Sequence, residues 1–194
     1  MFMNSGNMAF PLALLAFGSD GLTIAVLYYV AISIMVYSIG IYIAKGDGGL
    51  YEMLKLPLIY AAITGMLLNL TETPIPQPLF LTMDMLGAAT IPLMLISLGY
   101  HLRSTHITSF GLSIAGTIIR IFGGIILAYL VTISFGIKGI EQKIIILSSS
   151  MPSAVINFIV SYRYKLHSEL VASIIAMSTI VSLFITPLVL YFLM

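Results

Sequence analysis

Ser148-Ser149-Ser150-Met151-Pro152-Ser153-Ala154-Val155-Ile156-Asn157 interrupts an otherwise apolar, lipid-compatible segment. Pro152 has no N–H, and its ring obstructs the helical hydrogen bond to the preceding turn. The carbonyls behind it lose their donors, which in hydrocarbon costs several kcal/mol per group. A break of this kind is tolerated only where protein or a hydrated cavity covers it. Flanked by hydroxyls and an amide, it marks a candidate solute or ion site. The N-terminus repeats the theme with Asn4-Ser5-Gly6-Asn7, then Pro11, ahead of Leu12 to Phe17.

Composition sets the setting of that break. Of 194 residues, 60% are hydrophobic and only 8% charged, and the mean hydropathy is +1.12. So little charge does not cover the surface of a soluble domain, and the chain reads as an integral membrane protein. A net charge of +1, without any Lys/Arg run, excludes a nucleic-acid face. The absence of cysteine excludes disulfides, iron–sulfur clusters and thiolate metal sites. No basic segment and small-residue cleavage site follow Met1, so no signal peptide is read. No phosphate-binding glycine loop occurs and no cofactor is expected.

A crossing of about 30 Å of hydrocarbon needs roughly 20 apolar residues. Full spans are expected near 22–44, 56–71, 78–100, 112–135 and 168–193, with discontinuous segments near 1–18 and 143–162. Period-two alternation is absent, so the fold is an all-α membrane unit without a linker. Lys45, Lys55, Arg103, Arg163 and Lys165 fall in one set of loops; the opposite set holds Lys138 and Lys143 with Asp20, Glu72 and Glu141. The positive-inside bias therefore places Met1 on the cytoplasmic side of the cell membrane and Met194 outside. Segments 4–45 and 148–193 share one plan, a broken segment, a turn and a full span, in opposite orientations. That plan is the mark of inverted repeats whose broken helices meet near the midplane.

Four motifs in order carry a resemblance along the whole chain. Ser150 to Phe158 is similar to the second broken helix of the auxin efflux carrier family. Leu86 to Gly99 resembles its seventh helix, Asn4 to Leu12 its first broken helix, and Ser178-Thr179 fits its last span. The resemblance implies ten spans in two inverted five-helix repeats, with two proline-broken helices crossing beside the substrate. Here 1–45 would be the end of the first repeat and 46–194 the complete second repeat, the three helices before them lacking. Ala9 stands where the family usually has glycine. The implied solute is a small organic anion, a dicarboxylate or an auxin-like carboxylate, and a homodimer is implied as well.

The substrate-binding candidates are Asn157, Pro152 and Ser150 on the second broken helix, and Asn4 and Pro11 on the first. The half-helix after Pro152 would offer N–H groups and its positive dipole end to a carboxylate, with Asn157 adding an amide. Carbonyls around Ser148 to Ser150 offer a place for a cation. Ion coupling to H+ or Na+ is assigned to Asp84, Ser149 and Thr179; Asp84 is the carboxylate well inside an expected span. It also lies about two turns from the outer helix end, within reach of headgroup water. Arg120 is expected to snorkel to the cytoplasmic headgroups. His101, His106 and His167 read as solvated loop residues, and the Gly123-Gly124 pair as helix packing.

The leading function is a secondary transporter of organic anions. A bile-acid/sodium-symporter type shares such a crossing but places more acidic residues near it. A non-transporting fragment or subunit is the remaining membrane reading. An intramembrane enzyme needs paired aspartates, a Ser/His pair or a metal motif within the spans, and one Asp with no His does not supply one.

Overall fold

The computed structural model describes residues 1–45, 57–103 and 109–194. Lys55, Tyr51 and His106, and the boundary between 45 and 46, lie at or outside those limits. Among the described residues the chain is helical, and its β pairing is an isolated antiparallel bridge between Met3 and Ser153.

Helix α1 (Ala9–Met35) is interrupted at Gly18, whose φ of 68° and ψ of −160° are open to glycine at low cost. Its two pieces match the expected discontinuous segment 1–18 and the span that follows. Pro11 falls in the first turn, where the flanking N–H groups make only long bonds to the preceding turn, Phe10 to Gly6 at 3.3 Å and Leu12 to Met8 at 3.4 Å, so a missing one costs little. A π-helical turn (Val36–Gly40) leads into α2 (Ile41–Lys45). Helix α3 (Pro57–Leu70) opens on proline, a residue already shaped for a first helical position. Its 14 residues extend about 21 Å, short of a full crossing. Helix α4 (Gln77–Arg103) runs 27 residues with Pro92 inside it.

The second half holds α5 (Phe110–Ser134), α6 (Ile140–Ser150), α7 (Ile156–Arg163) and α8 (Ser168–Leu193). Among the described residues, three helical stretches are long and apolar enough to cross a membrane: Ala9–Ala44, Phe110–Ser134 and Ser168–Leu193. Helices α3 and α4 stand at the other two expected spans. Hydroxyls along these helices bond back to the carbonyl one turn earlier, as Thr82 does to Pro78 and Thr90 to Leu86, so they enter an apolar setting already paired.

Helix α5 packs against α8 and α6, α6 also against α1, and α7 against α8. Two apolar clusters pin α6 in place. Ile144 joins Phe10, Ala13 and Ala25 on one side, and Leu147 and Met151 join Ala9 and the end of α8 on the other. The rest of the interior is small and hydroxylated: Ser113 and Thr117 on α5, Ser148 to Ser150 on α6, and Ser173, Ser178, Thr179 and Ser182 on α8 are all buried. Small residues let helix backbones approach closely where no hydrophobic force separates helix from lipid. This packing brings the two irregular segments, 1–8 and 151–155, together.

Candidate solute site at the helix crossing

The break begins with local sterics. A residue before proline is pushed out of the helical region, and Met151 accordingly ends α6 in extended conformation, φ −63° and ψ 150°. Extended backbone then finds an extended partner. The Asn4 N–H donates to the Pro152 carbonyl at 2.8 Å, and the Ala154 N–H donates to the Phe2 carbonyl at 2.9 Å. The two segments thus cross as a miniature antiparallel pair centred on Met3 and Ser153.

Asn157 fastens this crossing from one turn further on. Its Oδ1 accepts the Phe2 N–H at 2.9 Å, and its Nδ2 reaches the carbonyls of Phe2 at 2.8 Å and Ala154 at 2.9 Å and the Ser153 hydroxyl at 3.0 Å. A side-chain amide here does the work of a neighbouring strand. The Ser153 N–H donates to the Ser178 hydroxyl on α8 at 3.1 Å. The first N–H groups of α7 close locally, Asn157 on Ala154 and Phe158 on Val155.

The other candidates fall into three places. Pro152 and Asn4 are at the crossing itself. Asn4 is 5% exposed, its Nδ2 has no partner, and it lines a cavity of about 160 Å3 with Asn7, Ser33, Tyr37 and Ala154. Ser149 and Ser150 lie at the end of α6: the Ser150 hydroxyl donates to the Leu147 carbonyl at 2.7 Å, and the Ser149 hydroxyl pairs with Tyr28 at 2.8 Å. Thr179, beside Ser178, bonds its own helix at Ile175. Pro11 is buried in the first turn of α1, away from the bridge. Asp84 is exposed on α4 and lines a separate groove with Phe10, Leu14 and Leu22.

One residue departs from its expected setting. Arg120 does not reach out to headgroups: it is 9% exposed, and its Nη2 donates to the Ser149 carbonyl at 3.2 Å. Its Nε is buried without a partner. Helix α5 runs alongside α6, which turns Arg120 inward toward the break. Gly124, one turn later on the same face, leaves the space. A Cβ there would overlap the Ser149 carbonyl oxygen and crowd the guanidinium. An arginine followed four residues later by glycine was the signal available in the sequence. Arg120, Tyr28 and Ser149 line a cavity of about 840 Å3 whose other walls are mainly apolar, including Ile119, Leu127 and Ile145.

The profile of the membrane transport protein family matches residues 49–190. An uncharacterized transporter of Methanocaldococcus jannaschii is 30% identical over 97% of this chain and 64% of its own length. An uncharacterized transporter of Methanothermobacter thermautotrophicus is 29% identical over 96% of this chain and 63% of its own length. The chain therefore spans a little under two thirds of these relatives. No solved structure matches it. With most of its length matched and with a membrane-helical fold, the chain belongs to the membrane transport protein family, the auxin efflux carriers that its motifs resemble, and not to a family of enzymes.

Proposed function

We propose that this chain forms the crossed-helix part of a secondary transporter for small organic anions, dicarboxylates or auxin-like carboxylates. The observation that carries the reading is Arg120, a cation 9% exposed beside a broken helix, with no carboxylate bonded to it among the described residues. A carboxylate leaving water needs a cation or several donors to replace its hydration. A guanidinium offers five donors in a planar fork suited to that task. The adjoining cavity has room for a small solute, and the crossing gives a compact unit able to move against the remaining helices. Asn157 then serves transport by holding the crossing closed. The two inverted repeats, coupling to H+, the homodimer and the cytoplasmic placement of Met1 belong to the same proposal.

The test is uptake into proteoliposomes carrying the full-length carrier. Radiolabelled dicarboxylates and an aromatic monocarboxylate are expected to load vesicles with saturation, and Arg120→Gln to reduce the rate at least tenfold while the protein remains folded. Unchanged uptake in that variant would remove Arg120 from the anion site. Saturable uptake confined to organic cations or neutral solutes would overturn the anion reading.

A further inference from the structure

Helix α6 ends inside the protein, and each of its last carbonyls must find a donor or be left bare. The Leu147 carbonyl takes the Ser150 hydroxyl at 2.7 Å, and the Ser148 carbonyl takes the Met151 N–H at 3.3 Å. The Ser149 carbonyl has neither kind of local partner. It accepts from Arg120, a full positive charge supplied by a different helix. The end of a helix carries a partial negative charge, and Ser148 and Ser149 add hydroxyl oxygens to the same turn. Tyr28 brings a further oxygen, its hydroxyl 2.8 Å from that of Ser149. Carbonyl and hydroxyl oxygens gathered at a half-helix terminus are the donor set for a small monovalent cation.

We infer that the Arg120 guanidinium is a tethered cation, filling at the carboxyl end of α6 the role that bound sodium would otherwise play, so that the crossing assembles without free sodium. Three observations converge on it. The guanidinium contacts the carbonyl directly. Gly124 is the residue that lets it do so, since a side chain there would strike both partners. The Ser148 hydroxyl oxygen is buried without a hydrogen-bond partner in the same turn, so the helix end retains unused oxygen capacity. Arg120 is a positioning residue in this role: it holds Ser149, and through it the start of the break at Met151. The inference rests on the crossing being part of the carrier, as proposed above, but its test uses no organic anion.

The unfolding midpoint of the purified full-length carrier is measured in sodium, potassium and choline chloride at equal ionic strength. Wild-type midpoints are expected to coincide. Arg120→Ala is expected to fall by roughly 5 °C or more and to recover part of that loss in dilute guanidinium chloride, with equimolar urea inactive. Arg120→Lys is expected to keep most of the midpoint in all three salts. A sodium-specific rise in the wild type overturns the inference, as does an Arg120→Ala protein that guanidinium does not restore or that urea restores equally. Should Arg120→Ala fail to fold, the wild type and Arg120→Lys decide: salt-independent midpoints support the tethered charge, and a sodium-specific rise in either overturns it. Uptake plays no part, so failure of the organic-anion reading leaves this result intact.

Discussion

The two segments that meet at the crossing are broken for different reasons. The break after Ser150 opens with an extended Met151 because Pro152 forces the preceding residue out of the helix and has no N–H of its own. Residues 1–8 contain no proline; Phe2 to Asn4 are extended because their N–H and carbonyl groups pair with the proline-made break. One segment is irregular by its own sterics, the other by association. Their saturation differs as well. On the second side, Asn157 satisfies the Ala154 carbonyl, Ser178 the Ser153 N–H and Arg120 the Ser149 carbonyl. On the first side, the Asn4 amide nitrogen is left without a partner at the wall of a cavity. The proline-made half is therefore the more firmly pinned along its main chain, while each half keeps a buried polar side-chain atom without a partner, Ser148 Oγ and Arg120 Nε on one side and Asn4 Nδ2 on the other.

The sharpest way to break this contrast is Asn157→Ala. It removes the amide that joins both segments and leaves the part-buried Phe2 N–H without its acceptor. The expected cost is about 3 kcal/mol from lost bonds and unpaired groups, seen as a fall in unfolding midpoint of about 6–12 °C, together with loss of uptake. A midpoint within error of wild type would show that the backbone pairing alone holds the crossing.

Gly124→Ala tests the proline-made half more gently, since the added methyl meets the Ser149 carbonyl and the guanidinium. A loss of about 1–3 kcal/mol is expected for overpacking of this kind, and the variant should lose stability through the same contact that Arg120→Ala removes. A double-mutant cycle between the two positions is expected to be strongly non-additive. Additive losses would separate the glycine from the arginine.

Asn4→Ala addresses the other half and is expected to change stability least, by under about 1 kcal/mol, because its amide nitrogen makes no bond to lose. Uptake should nevertheless fall. A large stability loss with normal uptake would make Asn4 part of the scaffold and remove the asymmetry.

The elements that were legible in the sequence were those dictated locally. Pro152 announced its break, the apolar stretches at 112–135 and 168–193 correspond to membrane-length helices within a few residues, and 22–44 lies inside the longer stretch Ala9–Ala44. Gly18, not Pro11, interrupts α1, because Gly18 takes a positive φ while proline in the first helical turn forgoes only one bond of the long kind its neighbours Phe10 and Leu12 make to the preceding turn. The role of Asn157 was visible as a polar residue near a break, but not its target. A side-chain amide one turn from Pro152 suits a carboxylate and a main-chain peptide equally well, and the peptide it meets here is that of Phe2, 155 positions away.

Hydrophobicity, the paucity of charge and one proline are properties of the chain itself, and they alone determined a helical membrane protein with an internal break. Which groups answer that break depends on contacts across 155 positions for Phe2 and Asn157 and across 29 for Arg120 and Ser149. Hydropathy describes how each residue prefers lipid or water, and by that measure Arg120 belongs at the headgroups. Only the packing of α5 against α6, with Gly124 leaving room, turned that arginine inward to the carbonyl that needed it.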